Sequence, residues 1–136
     1  MLIDSARAGD QEAVNTLRAM AERGAAEAQY YLGSLFIDGG GVPVDDTEVF
    51  EWNMLAAEQG HLGAMINVGN LHALGQGVPE DYESAYAWFN LAAARATGDA
   101  LELAVKNRDL SGDLLSSDQL ANAQRLTRVL DRQIPR

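Results

Sequence analysis

The sequence predicts an all-α fold in which antiparallel helix pairs stack one on the next. Three observations carry that expectation. The chain matches itself at an offset of 36 residues, from "AEAQYYLGSLFIDGGGVPVDDTEVFEWNMLAAEQG" at Ala26 to "LGAMINVGNLHALGQGVPEDYESAYAWFNLAAARA" at Leu62. Within each copy, apolar residues recur at helical spacing. Between the two helical stretches of each copy stand glycines followed by a proline, which ends one helix and turns the chain toward the next.

The match runs without a gap. Ala28 falls on Ala64, Gly33 on Gly69, Pro43 on Pro79, Asp45 on Asp81 and Trp52 on Trp88. Ala28, Leu32 and Leu35 share one face of the first helix of the first unit, and Ala64, Val68 and Leu71 repeat it. Gly39 and Gly75 stand where a helix ends in a left-handed residue, a conformation that costs a side chain about 1–2 kcal/mol. Asp45 and Asp81 suit the N-cap of each second helix. Glu48 lies three places after Asp45, close to a capping box. The second helices are expected to bury Val49, Trp52, Leu55 and Ala56, repeated as Ala85, Trp88, Leu91 and Ala92. Gly33 and Gly69 sit mid-helix at a cost of roughly 1 kcal/mol each. That cost implies close approach, with Ala56-Ala57 and Ala92-Ala93 as the expected facing partners.

Two units are too few to bury their own faces, so the flanks are read as caps. Residues 2–8 suit a short helix before Gly9. Asp10 then caps a helix with Ala13, Val14, Leu17, Met20 and Ala21 on one face, ending at Gly24. Beyond the second unit, Asp99 is the expected cap of a helix carrying Leu101, Leu103, Ala104 and Val105, which stops near "NRDLSGD". Ser116 and Gln119 form a capping-box pair. The final helix then carries Leu120, Ala123, Leu126, Thr127, Leu130 and Ile134 as a stripe. That stripe reads as a cover over the last repeat, with a dimer surface or a groove plug as the sharper alternatives. The division is therefore one domain: a cap at 1–25, repeats at 26–61 and 62–97, and closing helices at 98–136.

Composition narrows the function. The chain has 136 residues, no cysteine and a net charge of −10. Thiol nucleophiles, disulfides and zinc–thiolate sites are thus excluded. Phosphate backbones and anionic membranes repel such a surface, so neither nucleic acid nor membrane is an expected partner. A basic protein would be steered toward it. The opening "MLIDSARAGD" lacks the pattern of a secretory signal. A cytoplasmic location is therefore expected, or a periplasmic or secreted one for a trimmed mature form.

The triple glycine raises phosphate binding, but no Gly-Lys-Ser/Thr follows, the glycines trail a helix, and a proline comes next. His61 and His72 are eleven apart with no H-E-x-x-H, and G-x-S-x-G is missing. Asp38, Asp46, Glu80 and Glu83 decorate turns without the ligand spacing of a calcium loop. No catalytic, metal or cofactor residue is assigned, and the chain reads as a non-enzyme.

The residues of each unit resemble the Sel-one-like repeat family, a relative of the tetratricopeptide repeats. The pattern A-x-A-x-x-x-L-G, then aromatic-x-x-G-x-G-V-x-x-D, then A-x-x-W-x-x-x-A-A-x-x-G matches residues 26–60 with Phe36 at the aromatic position and Val49 for alanine. Residues 62–96 match with His72 at that position, Val68 for leucine and Ala96 for the last glycine. The resemblance implies a short right-handed α/α solenoid of two full helix-pair repeats with N- and C-terminal capping helices. It also implies an adaptor or scaffold that binds a peptide or protein in a concave groove lined by the first helix of each pair. The off-core residues there are Tyr30, Ser34 and Ile37, matched by Ile66, Asn70 and Ala73; Tyr30 and Ile66 could instead pack between repeats. Self-assembly through the C-terminal helix, giving a homodimer, is the alternative function.

Overall fold

A computed structural model describes residues 2–38 and 45–136. Among the described residues there are eight α-helices and no strand. The caps explain most of the boundaries. Helix α1 (Leu2–Arg7) ends before Gly9, and α2 (Gln11–Glu22) begins at Asp10, whose carboxylate accepts from the amides of Glu12 and Ala13. The first repeat pairs α3 (Ala26–Asp38) with α4 (Asp46–Glu58), and Asp45 caps α4 through the amides of Thr47 and Glu48. The side chain of Glu48 faces Arg18 at 3.7 Å, tying α4 to α2. The second repeat pairs α5 (Leu62–Leu74) with α6 (Tyr82–Arg95), capped by Asp81.

The turn at Gly39, Gly41, Val42 and Pro43 lies outside the described residues. Its counterpart does not: Gly75 ends α5 at φ 65°, in the left-handed region as expected, and Gly77 follows at φ 72°. A Cβ on Gly77 would collide with the carbonyl of Asp46, because this turn backs onto the start of α4.

The 36-residue register is visible in the joints between pairs. Gly24 N–H donates to Ala21 O at 3.0 Å and Ala25 N–H to Met20 O at 3.2 Å. Thirty-six residues on, Gly60 N–H donates to Ala57 O at 2.9 Å and His61 N–H to Ala56 O at 3.2 Å. The two glycines have φ of 95° and 94°. Helix α2 is therefore the second helix of an incomplete preceding unit. The next joint departs from the pattern. Ala96 replaces the glycine and is extended at φ −88°, and the left-handed turn passes to Gly98 at φ 59°.

The mid-helix glycines do mark a close approach, but not with the alanine pairs. A Cβ on Gly33 would lie 2.7 Å from Asn53 Nδ2, and one on Gly69 would strike the ring of Phe89. Positions 53 and 89 are themselves 36 apart. Each first helix gives up a side chain so that this one residue of the second helix can enter. Asn53 is fully buried; its Nδ2 donates to Val49 O at 2.8 Å and its Oδ1 accepts from Asn67 at 3.1 Å, which satisfies the amide in the core.

The closing helices correct one further expectation. Helix α7 (Gly98–Gly112) has Thr97, not Asp99, at its N-cap; Asp99 stands in the first turn, where a carboxylate still suits the helix dipole. Helix α8 (Ser117–Gln133) has the full capping box at Ser116 and Gln119. It makes its main helix contact with α6 rather than α7. Arg95, at the end of α6, donates to the carbonyls of Asp131, Ile134 and Pro135 at 3.3, 2.9 and 2.7 Å and to the Asp131 carboxylate at 3.0 Å. That hydrogen bond from Arg95, with Arg136 nearby, holds the Asp131 carboxyl below its usual range.

This placement separates the two tryptophans. Trp88 on α6 is buried at 3% exposure, while Trp52 on α4 is half-buried and Leu55 is 46% exposed. The expected burial of Leu55 and full burial of Trp52 are corrected on this point. The reason is cover: α6 is flanked by α5, α7 and α8, whereas α4 has α3 and α5 as its main neighbours.

Trp88→Ala is expected to cost about 3–5 kcal/mol and Trp52→Ala about 1–2 kcal/mol, since part of Trp52 already faces solvent. Chemical denaturation of the two variants checks the order, and equal losses would contradict the asymmetry. Removal of residues 116–136 should leave an aggregating chain, because it uncovers the Trp88 side of α6. A soluble truncation with a cooperative melt would refute that cover.

Candidate functional site

The six residues read from sequence as a binding row do not share one environment. Tyr30 stacks on His61, at the junction with the next repeat, with ring centroids 4.4 Å apart and an interplanar angle of 26°. His61 is itself the N-cap of α5. Its Nδ1 accepts from Ala64 N–H at 3.1 Å, which puts the proton of the neutral ring on Nε2, and Nε2 donates to Glu27 at 2.9 Å. Glu27 is held below the usual carboxylate range by the hydroxyl of Tyr31 first, against a smaller effect of burial, and then by His61. This cluster joins one repeat to the next. Ser34 turns its hydroxyl back to Tyr30 O at 3.1 Å. Ile66 is 7% exposed and belongs to the core around Trp88 and Phe89.

The other three come together on the face formed by α3, α5 and α7. Ile37 and Asn70 line a cleft of about 210 Å³ beside Asp46, Asn67 and Gln76. Asn70 and Ala73 line a second cleft of about 250 Å³ with Leu74, Asn107, Leu110 and Leu114. The two clefts meet at Asn70. Asn107 of α7 reaches across and donates from Nδ2 to Asn70 Oδ1 at 3.2 Å. Leu74, Leu110 and Leu114 are 66%, 57% and 61% exposed.

Asn107 and Leu110 also line a cleft on this face, and the repeat match passed over them. They lie 37 residues after Asn70 and Ala73, one more than the repeat, and share their i, i+3 spacing. That spacing was the available signal. Among the described residues, Asp46 is the only charged side chain in the lining of either cleft. No group of three or more histidine, aspartate or glutamate side chains among the described residues is placed to hold a metal ion. Nor is any helix among them long and apolar enough to cross a membrane.

Comparison with known proteins agrees with the repeat register. The Sel1 repeat profile matches residues 26–61 and 63–96. This chain belongs to the Sel1 repeat family. It is similar to a protective antigen present in uropathogenic Escherichia coli strains, described as displaying an SLR fold, with 31% identity and a TM-score of 0.86. The alignment covers 93% of this chain but only 27% of that one. It is also similar to a Sel1 repeat protein from Oxalobacter formigenes, at 35% identity and a TM-score of 0.66, over 71% of this chain and 73% of that one. No curated protein sequence matches the chain. With these neighbours the helix pairs form a short α/α solenoid. Sel1 repeats generally mediate protein–protein interaction, and no enzymatic family is indicated.

His72 holds the aromatic position of the second Sel1 repeat, where the first has Phe36. It packs edge-on to Phe50 with centroids 5.4 Å apart, and its buried Nδ1 has no hydrogen-bond partner among the described residues. Burial lowers its pKa below 6.5, against a smaller opposing pull from Asp81. Burial likewise pushes the Asp81 carboxyl up, but the hydroxyl and amide of Ser84 outweigh it and hold that group below its usual range.

The neutral ring is thus favoured in the fold. As pH falls through about 6.5 the unfolded chain takes up a proton on His72 before the folded one does, so this residue removes stability on the acid side. His72→Phe is expected to flatten the loss of melting temperature between pH 7.5 and pH 5, above the range in which Asp81 titrates. Parallel pH profiles for the variant and the parent would show that His72 is not the source.

Proposed function

We propose that this chain is a non-enzymatic protein-interaction module that binds a peptide or protein in a groove along α3, α5 and α7. The observation that supports this reading is the set of exposed aliphatic side chains around the two clefts that meet at Asn70. Single exposed leucines are ordinary, but Ile37, Leu74, Leu110 and Leu114 bordering adjoining clefts read as a docking surface. The amides of Asn67, Asn70 and Asn107 supply direction among them, the mixture of apolar anchors and polar groups that recognition sites use. The net charge of −10 and the lone Asp46 favour a basic partner.

Self-assembly through α8 has less to work with. Ala123 is fully buried, and Ile134 and Leu130 pack into the core around α6, so much of the stripe is already covered. Val129, outside that stripe, is the one large hydrophobic of α8 that is exposed, at 37%.

The test selects binders from a random peptide display library on the whole chain and measures them against Leu110→Asp and Val129→Asp. Leu110→Asp should lower affinity at least tenfold and Val129→Asp should not, with both variants melting close to the parent. Affinity for basic binders should fall as salt rises. The opposite ranking of the two variants would place the interaction on α8.

A further inference from the structure

We infer that a second copy of this chain docks on the side of the second helices, with the outer face of its α8 laid on the outer face of α4. The apolar stripe of α8 is spent on the core, so this pairing uses the opposite face of the helix. It is independent of the groove along α3, α5 and α7.

The charges are segregated along the chain. Residues 1–94 carry fourteen carboxylates and three arginines, and residues 95–136 carry six carboxylates and seven cations. The net charge of −10 therefore does not describe the C-terminal helix. On α8, Arg125, Arg128 and Arg132 are exposed at i, i+3 and i+7, which makes one ridge. Val129 stands among them at 37% exposure. Ala123 and Ile134 face the other way and are buried.

Helix α4 carries the complement. Glu51 and Glu58 are exposed, and Leu55 stands between them at 46% exposure. The spacing is the same on both helices. Glu51 and Arg125 lie four residues before the aliphatic side chain, and Glu58 and Arg132 three residues after it. Two helices running in the same sense then set Leu55 against Val129, with a glutamate opposite an arginine at each end. An apolar contact flanked by opposite charges is how paired helices select partner and register. Among the described residues, the side chains of Glu51, Glu58, Arg128 and Arg132 make no hydrogen bond or ion pair, and Arg125 bonds to Asn122 of its own helix.

The placement of the two helices closes the assembly. Met54 and Glu58 of α4 line one cleft with Leu130, Gln133 and Ile134 of α8, so both helices reach it with their C-terminal ends. Leu55 stands three residues before Glu58 and Val129 four before Gln133, about one turn in each case. The two aliphatic side chains are thus at one level. A second copy given half a turn about an axis parallel to these helices lays its α8 on α4 and its α4 on α8 at once. Each surface is used twice, as in an isologous two-fold dimer. Exposed ion pairs contribute little singly, so the dimer is weak and its charges act on register more than on strength. Repulsion between two acidic molecules is screened beyond about 8 Å at physiological ionic strength, whereas ridge and stripe meet in contact.

The test measures the molar mass of the whole chain by sedimentation equilibrium, from micromolar to millimolar concentration at physiological ionic strength. The mass is expected to rise toward that of a dimer. Arg125→Glu with Arg132→Glu, and separately Glu51→Arg with Glu58→Arg, should each weaken association at least tenfold. All four positions are exposed, so both variants should melt close to the parent. Mixing the two variants puts a glutamate opposite an arginine at both contacts and should restore dimers to within about threefold of the parent affinity, a recovery that damage to the fold would not give. Val129→Asp should also dissociate the dimer, and Leu110→Asp should not. A parent that stays monomeric at millimolar concentration overturns the inference, even if its α8 ridge binds a helical polyglutamate peptide. So does either reversed variant that associates like the parent, or a mixture that remains monomeric. Dimers abolished by Leu110→Asp would put self-association on the groove instead, and peptide binding that persists on Val129→Asp keeps the two faces separate.

Discussion

The structure depends on a vacancy at one position in each repeat. Gly33 and Gly69 leave room on the first helix of a pair for the residue at position 53 or 89 of the second. Everything else in the pair is set by that approach. With the axes drawn together, Leu32, Leu35, Val49 and Ala56 in one unit, and Val68, Leu91 and Ala92 in the next, close over with no measurable exposure or nearly so. The same clearance accepts an amide in one repeat and a phenyl ring in the other. Asn53 compensates with two hydrogen bonds, and Phe89 compensates by filling the volume. A polar and an apolar solution thus serve one geometric demand, which is why the repeat tolerates the difference.

The same reasoning explains why the stacking changes after the second pair. Ala96 cannot adopt the φ near 95° that Gly24 and Gly60 use without the penalty of a Cβ, so the chain runs extended to Gly98 before turning. In the 36-residue register Val105 then stands where a seam glycine would be needed, and α7 has none between its first and last residues. A second helix cannot approach it closely. Helix α8 instead lies against α6, and Arg95 secures its far end. The partner that α7 lacks as a repeat is the reason its outer leucines remain available beside the clefts.

Much of this was legible in the chain. The glycine–proline turns and the capping aspartates at 10, 45 and 81 act within a few residues, and the 36-residue period is a repeat of such local signals. What was not legible depended on neighbours distant in sequence. Trp52 and Trp88 are equivalent by register and unequal in burial, because only α6 is flanked by both closing helices. Tyr30, read as part of a row, has its ring taken by His61 at the cap of α5, and Ile66 is drawn into the core. Asn107 and Leu110 sit one residue out of the repeat period on a helix whose family pattern has faded. Their meeting with Asn70 is a property of the packed helices, not of any window of sequence.

The buried side chains fall into two clusters, one spanning α1 to α3 with Val49 and Leu71, the other spanning α4 to α8, and Phe50 packs against both. Phe50 thus shares the join between two hydrophobic territories with Ala26 and Tyr30 of α3, which pack on the rear one, and with Val49 and Leu71, which belong to the front one. In a stack whose units touch only their neighbours, loosening of the front helices need not reach the rear ones. The rear half can persist while the front frays, so the molecule comes apart in stages from one end, as a stack of coins does, and not all at once.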